Sequence, residues 1–145
     1  MRVDFYQLSR DPAEKVLPLL ARNTLGAGAR LLVVSGDGAQ LDRIGQALWE
    51  PRETFLAHGR AGAAHEERQP ILLSDRAEPA NGAKYLALAD GVWREGEAHF
   101  ERTFLLFGDA TLQAARDCWR MLRDRDGLER HFWKQDGGRW VEHGS

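Results

Sequence analysis

Ser35-Gly36-Asp37-Gly38 follows an apolar run and precedes an amphipathic stretch, where an α/β protein would cradle a phosphate. The turn has two glycines but lacks the P-loop lysine and the full dinucleotide pattern. Asp37 would also put negative charge where phosphate should sit, so a helix cap is the better reading. After the first apolar segment the chain runs Ser9-Arg10-Asp11-Pro12, again without a glycine fingerprint. His65-Glu66-Glu67-Arg68-Gln69 begins like a zinc-protease motif but lacks the second histidine, and neither His58 nor His65 has a cysteine ligand nearby. No serine sits in a nucleophile-elbow context, and the carboxylates are scattered over expected solvent faces. These residues point to no catalytic group, no cofactor and no metal.

Other residues are suited to gripping a partner. The chain has five tryptophans. Trp49 stands at an expected helix end, before Glu50, Pro51 and Arg52, with Phe55 and Leu56 close behind. Such a cluster is either a small satellite core or an exposed patch of the kind that meets another protein. A second group lies in the stretch 109–125, whose helical spacing puts Leu112, Ala115, Trp119 and Leu122 on one stripe. Arg116, Arg120 and Arg123 form the adjoining stripe, so Trp119 lies on the border with Arg116 and Arg120 beside it. An aromatic ring with forked donors beside it suits a short acidic peptide ending in a hydrophobic residue. The alternative is an ordinary amphipathic helix whose arginines pair with Asp117, Asp124 and their neighbours.

The elements that must position these residues read as an α/β domain. Val3 to Leu8 alternates as a first strand, and Asp11, Pro12 and Glu14 resemble the start of a helix. Val16, Leu17, Leu20, Ala21 and Leu25 give that helix an apolar face, and Gly26 with Gly28 ends it. Leu31 to Val34 lacks alternation, as a strand covered on both faces does. Asp37 and Gln40 resemble a capping pair for a second helix, which Pro51 stops. Phe55-Leu56, Ile71 to Leu73, Tyr85 to Leu88 and Thr103 to Phe107 read as further strands. His58 to Gln69 reads as a loop, and Trp93 to Phe100 as a short helix or turn. Phe132, Trp133 and Trp140 around Gly137-Gly138 suggest a hairpin closing a sheet edge. Successive strand–helix units predict a Rossmann-like, mostly parallel sheet with helices on both faces and no nucleotide-binding loop.

With 145 residues the sequence fits one domain, 1–145, able to fold without a staple. The lone Cys118 reads as a structural thiol and favours a reducing compartment. No signal peptide or membrane span is expected, so the predicted location is cytoplasmic. With 20 basic and 22 acidic side chains, the formal net charge of -2 argues against strong direct binding to a nucleic-acid backbone.

Several segments resemble the chi subunit of bacterial DNA polymerase III. Gln40-Leu41-Asp42 leads into Arg43-Ile44-Gly45-Gln46-Ala47-Leu48-Trp49, followed by Phe55-Leu56-Ala57-His58-Gly59. Val3-Asp4-Phe5-Tyr6, Ala115-Arg116-Asp117-Cys118-Trp119-Arg120 and Gly138-Arg139-Trp140 resemble the family's first strand, late helix and closing segment. The resemblance implies a non-catalytic accessory subunit that joins the clamp loader through the psi subunit. It also implies binding to the acidic C-terminal tail of single-stranded DNA-binding protein, which ends in phenylalanine. By position, Trp49 and Phe55, with Leu56, match residues facing psi, and Arg116, Trp119 and Arg120, with Arg123, match those receiving the tail. DNA would then be engaged mostly indirectly. Ala57 replaces a proline of the family pattern, and Leu112 stands where a lysine can contribute. Trp119 stands where tyrosine can occur, which shifts the expected balance from charge towards packing. Two other functions are open to this kind of sequence: a small nucleotide-dependent enzyme of the same fold, and a direct single-stranded DNA-binding module.

Overall fold

The computed structural model describes residues 1–50, 56–95 and 100–143. The strands are β1 (Arg2–Gln7), β2 (Leu31–Val34), β3 (His58–Arg60), β4 (Ile71–Ser74), β5 (Tyr85–Leu88), β6 (Arg102–Phe107), β7 (Glu129–Asp136) and β8 (Arg139–His143). They form one sheet in the order β3-β4-β2-β5-β6-β1-β7-β8. Every neighbouring pair is parallel except β7 with β8. The helices are α1 (Ala13–Gly26), α2 (Gly38–Trp49) and α3 (Leu112–Leu122).

The fold is thus α/β, with a mixed sheet and flanking helices, as the apolar runs predict. Its strand order is not the 3-2-1-4-5-6 of the doubly wound dinucleotide fold. β1 and β2 are not neighbours, because β5 and β6 lie between them. The connections through α1 and α2 run in one direction along the sheet, and the connection through α3 runs in the other. Right-handed crossovers put such helices on opposite faces. Accordingly Val16, Leu17, Leu41 and Ile44 pack with Leu31 and Val33 on one face, whereas Ala115, Cys118 and Leu122 pack with Leu32 and Val34 on the other.

Several local expectations change. Pro12, not Asp11, is the N-cap of α1 and makes no side-chain cap. The Asp11 carboxylate instead accepts from Gln135 Nε2 at 2.8 Å, and Glu14 accepts from Arg43 Nε at 2.7 Å. Asp37 does cap α2, accepting from the Ala39 amide at 3.0 Å. Gln40 does not complete a capping box. Its Oε1 accepts from Ser35 Oγ at 2.6 Å and its Nε2 donates to the Ala89 carbonyl at 3.0 Å. The strand expected at Phe55-Leu56 lies instead at His58–Arg60, within the stretch read as loop; Phe55 is outside the described residues. Pro51 also lies outside them, and α2 ends at Trp49. Trp93 to Glu95 is not helical, and 96–99 are outside the described residues. α3 ends at Leu122 rather than near Arg125 and is preceded by a 3-10 turn at Asp109–Thr111.

The tail hairpin is present and does more than close an edge. β7 pairs along the whole of β1, aligning Phe5 with Phe132 and Tyr6 with Trp133. Tyr6 and Trp133 stack at 6.1 Å, and Trp140 meets the same Tyr6 ring edge-on at 5.0 Å.

Asp4 is an exception to the expectation that carboxylates face solvent: it is wholly buried. It accepts from Arg102 Nε at 2.7 Å, Arg2 Nη2 at 3.0 Å and Trp133 Nε1 at 3.0 Å. Burial alone would raise its pKa, but hydrogen bonds from Arg2, Arg102 and Trp133 outweigh that and hold it below the ordinary carboxylate value. One side chain therefore joins β1, β6 and β7.

His131 of β7 contacts Glu142 Oε2 of β8 through Nδ1 at 3.0 Å, and this bond raises its pKa despite partial burial. A raised folded-state pKa stabilises the hairpin fully below the unfolded value, and that contribution is lost as pH rises through the folded value. Amide exchange in β8 should therefore quicken with rising pH beyond its intrinsic pH dependence, and Glu142→Gln should remove the excess.

Candidate functional site

The loop at Ser35-Gly36-Asp37-Gly38 is occupied by its own contacts. The Gly36 amide donates to Asp90 Oδ2 at 2.9 Å, and Asp90 is clamped by Arg94 at 2.7 Å. Burial opposes its ionisation, yet the bonds from Arg94, Gly36 and Val92 lower its pKa. A carboxylate therefore holds the amide that a phosphate would need. Among the described residues no group of three or more His, Cys, Asp or Glu could hold a metal.

A second site lies on the face of the sheet covered by α3. α3 sits over β1, β6 and β7, and its strongly one-sided sequence turns Ala115, Cys118 and Leu122 inward. Trp119, at the edge of that buried stripe, meets Phe5 edge-on at 5.1 Å and Phe132 at 5.7 Å. Arg130 of β7 covers the ring at 3.9 Å and donates to the Trp119 carbonyl at 2.6 Å. The ring is thereby fixed on several sides.

Beside it is a groove of about 390 Å³, lined by Gln7 from β1, Leu112, Arg116, Trp119 and Arg120 from α3, Phe132 and Lys134 from β7, and His143 from β8. Its lining combines apolar and aromatic groups with cations, and no carboxylate belongs to it. Arg116 makes no ion pair among the described residues, whereas Arg120 meets Asp117 at 3.5 Å with both groups largely exposed. Exposed pairs of that kind contribute little, so Arg120 can be drawn to a ligand. Arg123 points elsewhere: it pairs with Asp124 at 3.5 Å and does not line the groove.

Three of the four tail-binding residues expected from sequence are therefore together. Lys134, His143, Phe132 and Gln7 were not anticipated, because they arrive through the long-range pairing of β7 with β1. The helix-wheel stripe could not indicate them, although the alternation of Phe132 and Lys134 would have placed both on one face once β7 was aligned.

Cys118 lies on the buried face of α3, and burial pushes its thiol up to about 12. It should resist thiol-modifying reagents in the native protein and react promptly in denaturant. Rapid labelling of the folded chain would contradict this packing.

The second expected surface is at the end of α2. Trp49 is 60% exposed and meets the His58 ring at 5.2 Å. Leu56 is only 2% exposed and belongs to the core with Leu48. Phe55 is outside the described residues. No helix among the described residues is long and apolar enough to cross a membrane.

No curated protein matches the chain. The family model of the DNA polymerase III chi subunit, HolC, matches residues 1–131, which include all three helices and the α3 side of the groove, while Phe132, Lys134 and His143 lie beyond the matched range. With that match over most of its length, the chain belongs to the DNA polymerase III chi subunit family.

Proposed function

We propose that this chain is a non-catalytic bridge in the polymerase III holoenzyme, joining the clamp loader, through psi, to the acidic C-terminal tail of single-stranded DNA-binding protein. The observation that carries the tail half is the groove beside Trp119. It combines an aromatic anchor site with Arg116, Arg120 and Lys134 and has no carboxylate in its lining. A terminal phenylalanine would pack against Leu112, Trp119 and Phe132, and the carboxylates around it would meet the cations. Lys134 supplies from β7 a positive charge near the α3 position held here by Leu112, so charge remains part of the recognition. Arg123 acts at longer range, outside the lining. Trp49, with Phe55 beyond it and Leu56 supporting from the core, is the psi-facing surface.

The test is a calorimetric titration with a synthetic acidic peptide ending in phenylalanine. Binding in the roughly micromolar range is expected, weakened by amidation of the terminal carboxylate and by salt. Failure of the folded chain to bind this peptide would overturn the tail assignment. Tight, steeply salt-dependent binding to bare single-stranded DNA would favour the direct DNA-binding alternative.

A further inference from the structure

β8 is the last strand of the sheet, and among the described residues its outer edge pairs with nothing. Its ladder with β7 runs residue for residue without a bulge, and it contains no proline. Such an edge is open to strand addition. The hairpin register identifies the groups on offer. Gly137 at φ 61° and Gly138 form a two-residue turn closed by Asp136 and Arg139. That closing pair exchanges hydrogen bonds, and alternation along the ladder then directs the backbone groups of Arg139, Val141 and His143 towards β7. The N–H and C=O groups of Trp140 and Glu142 are left facing outward.

Side-chain alternation supplies the charge preference. Phe132 pairs with His143, Lys134 with Val141 and Asp136 with Arg139, so Arg139, Val141 and His143 share the groove face with Lys134 and, at the turn only, with the carboxylate of Asp136. His143 belongs to both the groove lining and the edge strand, which makes the two surfaces continuous. A second copy of this chain fits the edge poorly. Antiparallel pairing of β8 with itself about Val141 would set Arg139 against His143 beside the Lys134 cations, and would bring no carboxylate to this face beyond the Asp136 that each copy already has opposite its own Arg139. An acidic strand meets the same face with complementary charge.

We propose that the segment of the acidic peptide preceding its groove-bound end adds to β8 as an extended strand, hydrogen-bonded to the backbone of Trp140 and Glu142. This rests on the groove reading and extends it from side-chain capture to β-strand addition. The test compares a long acidic peptide ending in phenylalanine with a short form keeping only its terminal residues. Both are titrated against the wild type, Glu142→Pro and Glu142→Ala. Proline at 142 removes an outward N–H without taking a bond from β7, and alanine controls for the lost side chain. Glu142→Pro should weaken the long peptide roughly two- to tenfold, the usual range for one hydrogen bond, and leave the short peptide unchanged. Glu142→Ala should weaken neither. In a second arm, wild-type protein is titrated with a long peptide N-methylated on alternate upstream amides, which should bind like the short form in one of the two methylation phases. Long-peptide binding that is unaffected by both Glu142→Pro and N-methylation would overturn strand addition while leaving the groove intact. Failure of the wild type to bind either peptide would overturn both readings.

Discussion

Asp4→Ala is expected to destabilise the protein by about 2–4 kcal/mol, less than for a fully buried ion pair broken from one side, because the Arg2 and Arg102 side chains are 35% and 29% exposed and water can take up part of their charge. The carboxylate is wholly buried and accepts from Arg2, Arg102 and Trp133, which belong to β1, β6 and β7. Its removal leaves two partly exposed guanidinium groups and an indole N–H without their acceptor where β6, β1 and β7 lie side by side. Against a typical total stability of about 5–15 kcal/mol, that loss is large. Urea denaturation should show a lower midpoint, with β7 and β8 losing exchange protection first. An unchanged midpoint would show that the network contributes nothing.

The same carboxylate predicts an acid response. Its folded-state pKa is lowered, so its stabilisation is complete above the unfolded value and is lost as pH falls through the folded one. The wild type should therefore lose stability in acid, below the ordinary carboxylate range. Asp4→Asn should start less stable near neutrality and show a flatter acid limb.

Arg116→Ala is expected to weaken the acidic tail peptide by roughly ten- to a hundredfold, as loss of a charge-assisted bond of about 1.5–3 kcal/mol implies. Stability should barely change, because Arg116 makes no ion pair among the described residues and lies on the exposed side of α3. This separation makes Arg116 more informative than Trp119, whose ring supports Phe5, Phe132 and Arg130 and whose loss would disturb the fold as well. Arg123→Ala should weaken binding far less, since Arg123 stands outside the groove. Equal losses for the two variants would indicate diffuse charge attraction rather than a defined pocket.

Residues whose surroundings are local were readable in advance. Leu31 to Val34 forms a strand covered on both faces, Asp37 caps α2, and the border position of Trp119 follows from helical spacing alone. What escaped sequence reading depends on pairing between distant segments. Nothing near Asp4 indicates that Arg102 and Trp133 will surround it, and its place in an alternating strand is only a faint signal. Gln40 looks like half of a capping box, yet Ser35 and the Ala89 carbonyl compete for its amide and win. Lys134 and His143 join the groove only because β7 lies beside β1 in one particular register. The family pattern pointed to one face of α3, while the β7 and β8 side of the groove required the assembled sheet.

The most direct test of the bridging arrangement is assembly on immobilised psi, with this chain and then single-stranded DNA-binding protein flowed over it. Two separate surfaces predict a ternary complex. Trp49→Ala should lose capture by psi but retain tail-peptide binding in solution. Arg116→Ala should be captured by psi but recruit little single-stranded DNA-binding protein. Mutually exclusive binding, or loss of both partners in either variant despite a native fold, would contradict the two-surface arrangement.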